Sequence, residues 1–263
     1  MVSGILLARC PSHAVALLPQ EDPVLHQRGD TVLPHVEQAQ VLSNWQREHM
    51  KQWAMDFGGL TRYRAADQEL SDPGPDEHRV VFFGDSITDH WDLARYFPGK
   101  NYINRGIGGQ TTSQMLLRFR QDVLGLKPDV VVILAGTNDI AGNTGPLSLQ
   151  DMEGNIASMA ELARIHNVAL VLSSVTPVNN YTPAAQPLFA ARPPSEILRL
   201  NSWLKAYCDS INCYYVDYFE AMVDGSGLLR RNLSDDGLHP NDAGYRIMAP
   251  LAESAIDKTM TSR

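Results

Sequence analysis

Two stretches of the chain carry residue types that could take a proton from a hydroxyl and use the oxygen left behind. One is RVVFFGDSITDHW (79–91), an apolar run that stops on Gly84, Asp85 and Ser86. The other is SDDGLHPNDAGY (234–245), in which His239 follows Asp236 by three residues. A serine hydroxyl is a weak nucleophile and needs a base to accept its proton. An imidazole can be that base, and a carboxylate behind it fixes its tautomer and stabilises its charged form. Ser86, His239 and Asp236 are therefore candidates for nucleophile, base and orienter. Each also has a plain structural reading. Ser86 can cap the helix that follows it. DGLHPNDAGY reads as a turn feeding a helix, with Asp or Asn as cap and Pro240 in the first turn; a cap and a catalytic pair can coexist there. His90 has Asp89 beside it, but neighbours in a helix do not face each other, so Asp89 reads as a helix-start residue.

Acyl transfer also needs donors for the negative charge that develops on a carbonyl oxygen. Gly109, in GIGGQTT (106–112), can offer a backbone N–H where no side chain obstructs the approach. Asn138, in GTND (136–139), can offer its amide, and Ser86 its own N–H. As a phosphate loop the glycine stretch lacks the G-x-G-x-x-G spacing and an acidic residue placed to hold a ribose. GTND alternatively reads as a strand-ending turn with Asn in a permissive conformation. At Cys10, Cys208 and Cys213 neither a cysteine nucleophile nor a metal site is expected. Cys208 and Cys213 are close enough to pair; a disulfide and two free buried thiols both stay open.

Such residues work together only if the fold brings them to one place. Apolar runs at 79–84, 101–109, 128–136, 167–175 and 213–218 show no in–out alternation, the pattern of strands buried on both faces. Helical segments are expected at 111–121, 149–166, 194–208 and 241–256. Strands alternating with helices imply a parallel sheet covered on both sides. Ligands bind at the carboxyl ends of such strands, and Ser86, Gly109 and Asn138 each follow a strand.

Residues 1–36 read as an extended arm, and 35–57 as a helix with Val41, Leu42, Trp45, Met50, Trp53 and Met55 at helical spacing. Trp45 and Trp53 would seal the fold or form a homodimer contact. Residues 71–79 are a Pro/Gly/Asp linker. The expected division is therefore 1–75, arm and helical extension, and 76–263, the main domain. The long Pro-rich stretch 177–196 reads as a loop over the site.

The chain has 263 residues, a formal charge of −8 and no Lys/Arg run, which argues against a nucleic-acid partner. No apolar stretch approaches the ~18 residues of a membrane span. The opening MVSGILLARCPSHAVALLPQ is broken by Arg9 and Pro11, a poor signal peptide as it stands; the expectation still leans to secretion.

Four blocks in order resemble the SGNH (GDSL-type) esterase and lipase family: GDSIT (84–88), NRGIGGQTT (104–112), AGTND (135–139) and DGLHPND (236–242). The similarity covers about residues 79–258. It is nearest the branch holding the platelet-activating-factor acetylhydrolase catalytic subunits and many bacterial acylhydrolases. The resemblance implies a flavodoxin-like three-layer α/β/α fold, with a five-stranded parallel sheet in the order 2-1-3-4-5. It implies hydrolysis of acyl esters with no metal or other cofactor. Ser86, Asp236 and His239 match the family triad. Gly109 (Gly108 in the alternative register) and Asn138 match its oxyanion residues. Ile87 stands where the name motif has Leu, and no catalytic position departs. The expected substrate is a small-molecule or carbohydrate ester with a short acyl group, an acetyl above all. Lysophospholipid, acyl thioester and acyl transfer to a sugar are the rivals. A non-catalytic carbohydrate-binding protein is disfavoured by the intact Ser86, Asn138, Asp236 and His239. Candidate substrate contacts are Trp91, Asn104, Arg105 and Val178, with Thr176, Pro177 and Asn179; Arg105 reads equally as a structural salt bridge.

Overall fold

The apolar runs fold as β1 (Val80–Gly84), β2 (Tyr102–Gly106), β3 (Val130–Leu134), β4 (Ala169–Ser173) and β5 (Tyr214–Val216). This computed structural model describes residues 44–262; the arm at 1–36, the first residues of the helix expected from 35, and Cys10 lie outside the described residues. All neighbouring strands are parallel, in the order β2-β1-β3-β4-β5. The fold is the expected three-layer α/β/α.

Eleven α-helices are described. Before the sheet come α1 (Asn44–Met55) and α2 (Arg64–Glu69). Two short helices, α3 (Ser86–Asp89) and α4 (Leu93–Tyr96), follow β1. Then come α5 (Thr112–Asp122), α6 (Thr137–Ile140), α7 (Leu149–Ile165), α8 (Ala185–Ala190), α9 (Pro194–Ile211), α10 (Tyr218–Met222) and α11 (Asp242–Thr261).

Side chains on a strand alternate between faces, so a run of Val, Ile, Leu and Phe serves two cores at once. Val81, Phe83, Val131, Ile133 and Leu172 face one layer, packing with Met115 and Phe119 of α5, Met159 of α7 and Leu200 of α9. Val80, Phe82, Val130, Val132 and Val171 face the other, packing with Ile87, Trp91 and Phe97, and with Tyr245, Met248 and Ile256 of α11.

β1 and β2 both end on glycine because the chain folds back over their carboxyl ends. A Cβ on Gly84 would lie 2.2 Å from Thr88 Oγ1, and one on Gly106 would lie 2.1 Å from the backbone N of Asp89. Only a residue without a side chain admits α3 so close, and that approach sets Ser86 at the end of the sheet.

The described residues, 44–262, belong to one compact unit. The segment 44–75 packs against the residues around β2 and α5. Gln110 Nε2 donates to Gly58 O (2.9 Å) and Gln114 Nε2 to Phe57 O (2.8 Å), while the Tyr63 hydroxyl donates to Gly106 O. A disulfide joins Cys208 of α9 to Cys213, just before β5, which resolves the open question of these two thiols. Among the described residues, no helix is long and apolar enough to cross a membrane.

Candidate active site

The cap of α3 is Asp85, not Ser86: Asp85 Oδ1 accepts the Ile87 N–H at 2.9 Å. Ser86 is then the first helical residue, and its hydroxyl is not used as the cap. It turns instead to His239, with Ser86 Oγ and His239 Nε2 2.9 Å apart. On the other side of the ring, His239 Nδ1 lies 2.6 Å from Asp236 Oδ2. An ionised carboxylate only accepts, so Nδ1 carries the proton and Nε2 is left to accept from the serine hydroxyl.

Asp236 is held from three more directions. Its Oδ1 accepts the N–H groups of Leu238 (2.9 Å) and His239 (2.8 Å) and the hydroxyl of Ser234 (3.1 Å). Burial pushes its pKa up, but the bonds from the His239 ring and these N–H groups outweigh burial and hold it at about 2. The helix reading of this stretch holds alongside: Asn241 Oδ1 accepts the N–H groups of Ala243 (3.0 Å) and Gly244 (3.2 Å) and caps α11. Asp85 is fully buried, and one of its oxygens, Oδ2, has no hydrogen-bond partner. Burial raises its pKa to about 6.

The glycine turn and GTND reach the same place. Gly109 has φ +77° and its C=O accepts Asn143 Nδ2 at 2.9 Å. The Gly108 N–H is committed to Asp89 Oδ2 at 3.1 Å. Asn138 donates Nδ2 to Gln110 O (3.0 Å) and accepts at Oδ1 from Arg192 Nη2 (3.1 Å). Ser86, His239, Gly108, Gly109 and Asn138 all line one cleft of about 620 Å³. The stretch 177–196 does cover it, as a helix rather than a bare loop: Pro187 and Leu188 of α8, with Ala191 and Arg192, form one wall. His49 of α1, His90 and Asn143 form others. A larger groove of about 870 Å³ lies where β4 and β5 begin, lined by Ala169 and Tyr214 among others, and holds none of these groups.

The four candidate substrate contacts lie elsewhere. Trp91 is a core residue, 3% exposed, packed against Phe82 (ring centroids 5.4 Å apart) and Tyr245 (5.2 Å). Asn104 donates to the carbonyls of Thr88 (2.6 Å) and Trp91 (3.0 Å), fastening the α3 turn to β2. Arg105 takes its structural reading: Nε donates to Asp67 Oδ1 at 2.9 Å, with the guanidinium over the Tyr63 ring. Val178 is buried in the core, its C=O accepting the Leu229 N–H at 3.0 Å. The residues that do shape the cleft beside Ser86 and His239, among them His49, Asn143 and Arg192, fall in segments with no motif. Only the length of 177–196 pointed to a cover. Among the described residues, no group of three or more His, Cys, Asp and Glu is arranged to hold a metal ion.

The model of the GDSL-like Lipase/Acylhydrolase family matches residues 82–247. An assigned acylhydrolase of Bacteroides fragilis is 42% identical with a TM-score of 0.72, covering 78% of this chain and 98% of its own. A GDSL-like lipase of Bacteroides thetaiotaomicron is 41% identical with a TM-score of 0.71, covering 77% and 98%. The lipoprotein YqeF of Bacillus subtilis is 35% identical over 118 residues, 38% of this chain. The chain spans about half of that relative's length, 49%.

Proposed function

The chain belongs to the GDSL-like lipase/acylhydrolase family and is a carboxylic ester hydrolase; within that class, we propose that it is a serine esterase cleaving short-chain acyl esters, acetyl above all, through Ser86, His239 and Asp236. The observation that carries this reading is the unbroken line from Ser86 Oγ to His239 Nε2 (2.9 Å) and from His239 Nδ1 to Asp236 (2.6 Å).

As Ser86 Oγ attacks the ester carbonyl, His239 Nε2 takes its proton, and Asp236 stabilises the charged ring. The carbonyl π pair moves onto oxygen. The N–H groups of Ser86 and Gly109 and the Asn138 amide receive that oxyanion; Gly109 serves rather than Gly108, whose N–H is already given to Asp89. The tetrahedral species collapses, the C–O bond to the alcohol breaks, and His239 returns the proton to the departing oxygen. Water, deprotonated by His239, then attacks the acyl-enzyme by the same route. The carboxylic acid leaves and Ser86 regains its proton.

The wall chemistry supports a short acyl group on a polar alcohol. Apolar Ala141, Pro187, Leu188, Ala191 and Leu238 line the cleft together with the polar His49, Asn143 and Arg192. A long alkyl chain needs a continuous apolar path, and a hydroxylated alcohol needs spaced polar groups. The test is a chain-length series of p-nitrophenyl esters beside acetylated xylan, with acetate release measured in the native enzyme and in Ser86→Ala. Expected are a maximum kcat/KM at acetyl and loss of turnover in a normally folded Ser86→Ala. Native-like rates in that variant would sink the nucleophile, and a maximum at long chains would sink the acyl-length reading.

A further inference from the structure

The covering wall carries one buried cation whose place the triad does not explain. Arg192, between α8 and α9, is 5% exposed. Its three hydrogen bonds all go to neutral oxygens: Nε to Thr137 Oγ1 (3.0 Å), Nη1 to Leu188 O (3.2 Å) and Nη2 to Asn138 Oδ1 (3.1 Å). Keeping a guanidinium in such a place is costly, since a buried charge is normally held by an opposite one; the Asp85 and Asp236 carboxylates attract it through space, but none of these three hydrogen bonds goes to them.

We infer that Arg192 is a positioning residue for the oxyanion site, orienting and polarising the Asn138 amide from behind. The inference rests on Asn138 being an oxyanion donor, as proposed above. Two neighbours fix the amide without ambiguity. Gln110 O requires the nitrogen on its side, at 3.0 Å, and Arg192 Nη2 requires the oxygen on the other, at 3.1 Å. A flipped amide would set two acceptors against each other and two donors against each other. In the observed orientation one N–H is used by Gln110 O, and the second remains for the cleft that Asn138 lines. A guanidinium on the amide oxygen also draws electron density from the nitrogen, because hydrogen bonds in series polarise one another. The N–H becomes a stronger donor where negative charge develops. A fixed positive charge also stands one amide away from that oxygen, in a site where water screens it little.

The placement links the cover to the chemistry. Thr137 and Asn138 follow β3, whereas Leu188 and Arg192 belong to the covering wall. The guanidinium bridges the two, so the wall seats correctly only when the amide is in position. If Arg192 were only a peg for the cover, its loss would loosen substrate binding and raise KM. A residue acting through Asn138 changes kcat instead, because the oxyanion exists only after attack.

The test measures kcat and KM for p-nitrophenyl acetate in the native enzyme, Arg192→Met, Arg192→Lys, Asn138→Ala and the double variant Arg192→Met/Asn138→Ala, each checked for a native circular dichroism spectrum. Arg192→Met is expected to lower kcat by roughly 10- to 100-fold with KM changed by less than about two-fold. Arg192→Lys should regain part of that loss. The double variant should be no slower than Asn138→Ala, since Arg192 has nothing to act on once the amide is gone. A full further loss in the double variant, or an effect confined to KM, would overturn the inference. If Arg192→Met does not fold, Arg192→Gln carries the same comparison. An Asn138→Ala variant with native kcat would instead remove the premise, an outcome separable from an impaired Asn138→Ala beside an unaffected Arg192→Met.

Discussion

Thr112 gives both its backbone N–H and its hydroxyl to one carboxylate, that of Asp139, at 2.9 and 2.5 Å to Oδ1. Thr112 opens α5 directly after the glycine turn, and Asp139 sits beside Asn138 on α6. The clamp therefore fixes, relative to each other, the two loops that bring Gly109 and Asn138 to the cleft.

That carboxylate is 2% exposed, and burial raises its pKa to about 6 even though the Thr112 bonds pull it down. An unfolded Asp titrates near 3.9. Between about pH 4 and 6 the folded chain thus holds a proton that the unfolded chain has lost, and stability falls as pH rises through that window. Asp139→Asn removes this dependence. Relative to the native protein it should gain up to roughly 3 kcal/mol between pH 4 and pH 7, the energy of about two pKa units. Urea unfolding of both proteins at the two pH values measures the difference, in which groups that do not feel the Asp139 charge cancel; Asp85, whose pKa that charge raises, does not cancel fully. An identical difference at pH 4 and pH 7 would show that Asp139 does not titrate in the window.

The sheet and the pairing of Asp236 with His239 were legible because each rests on a local regularity. Unbroken apolar runs such as 130–134 are the pattern of strands with two covered faces, and Asp236 and His239 lie in one short turn that needs little from the rest of the fold. Trp91 was misplaced because α3 is a single turn: one residue past it the chain turns inward, and the indole enters the core with Phe82 and Tyr245. Arg105 and Asp67 are 38 residues apart, and no periodicity in 64–69 announces the partner. The cap reading left open for Ser86 falls to Asp85, one residue earlier. Arg192 was illegible for a plainer reason: two of its acceptors, the neighbours Thr137 and Asn138, lie 55 and 54 residues away in sequence.

Arg118 is a fully buried arginine that holds the strand ends on which Ser86 and Gly109 depend. It donates to Gly84 O (2.9 Å), Arg105 O (2.8 Å), Gln110 Oε1 (2.6 Å) and Asp122 Oδ2 (3.0 Å), with Phe83 beneath the guanidinium. Arg118→Met would strip these acceptors and leave Asp122 a buried carboxylate without its cation. The expected cost is roughly 3–5 kcal/mol. Arg118→Met/Asp122→Leu, which removes both charges, should recover part of that loss. Urea midpoints of the two variants decide it: a double variant less stable than the single one would mean that the charge pair is not what the arginine serves.

Helix α1 lies outside the residues matched by the family model, 82–247, yet it forms part of the cleft wall through His49. Gln46 anchors it there, donating Nε2 to Gly142 O (3.0 Å) and Asn143 O (3.2 Å), beside the glycine turn. In the proposed mechanism a small ester spans only Ser86, His239 and the oxyanion donors, none of which α1 supplies. A larger ester must extend along the walls. His49→Ala should therefore leave kcat/KM for p-nitrophenyl acetate within about two-fold, while lowering it for acetylated xylo-oligosaccharides by about 3- to 10-fold, the worth of roughly one hydrogen bond. Gln46→Ala should shift the same ratio in the same direction by loosening the helix that carries His49. Initial rates on the two esters, compared within each variant, provide the measurement. Equal losses on both would place His49 with the catalytic groups and not with the wall, and no loss on either would mean that the bound ester does not reach α1.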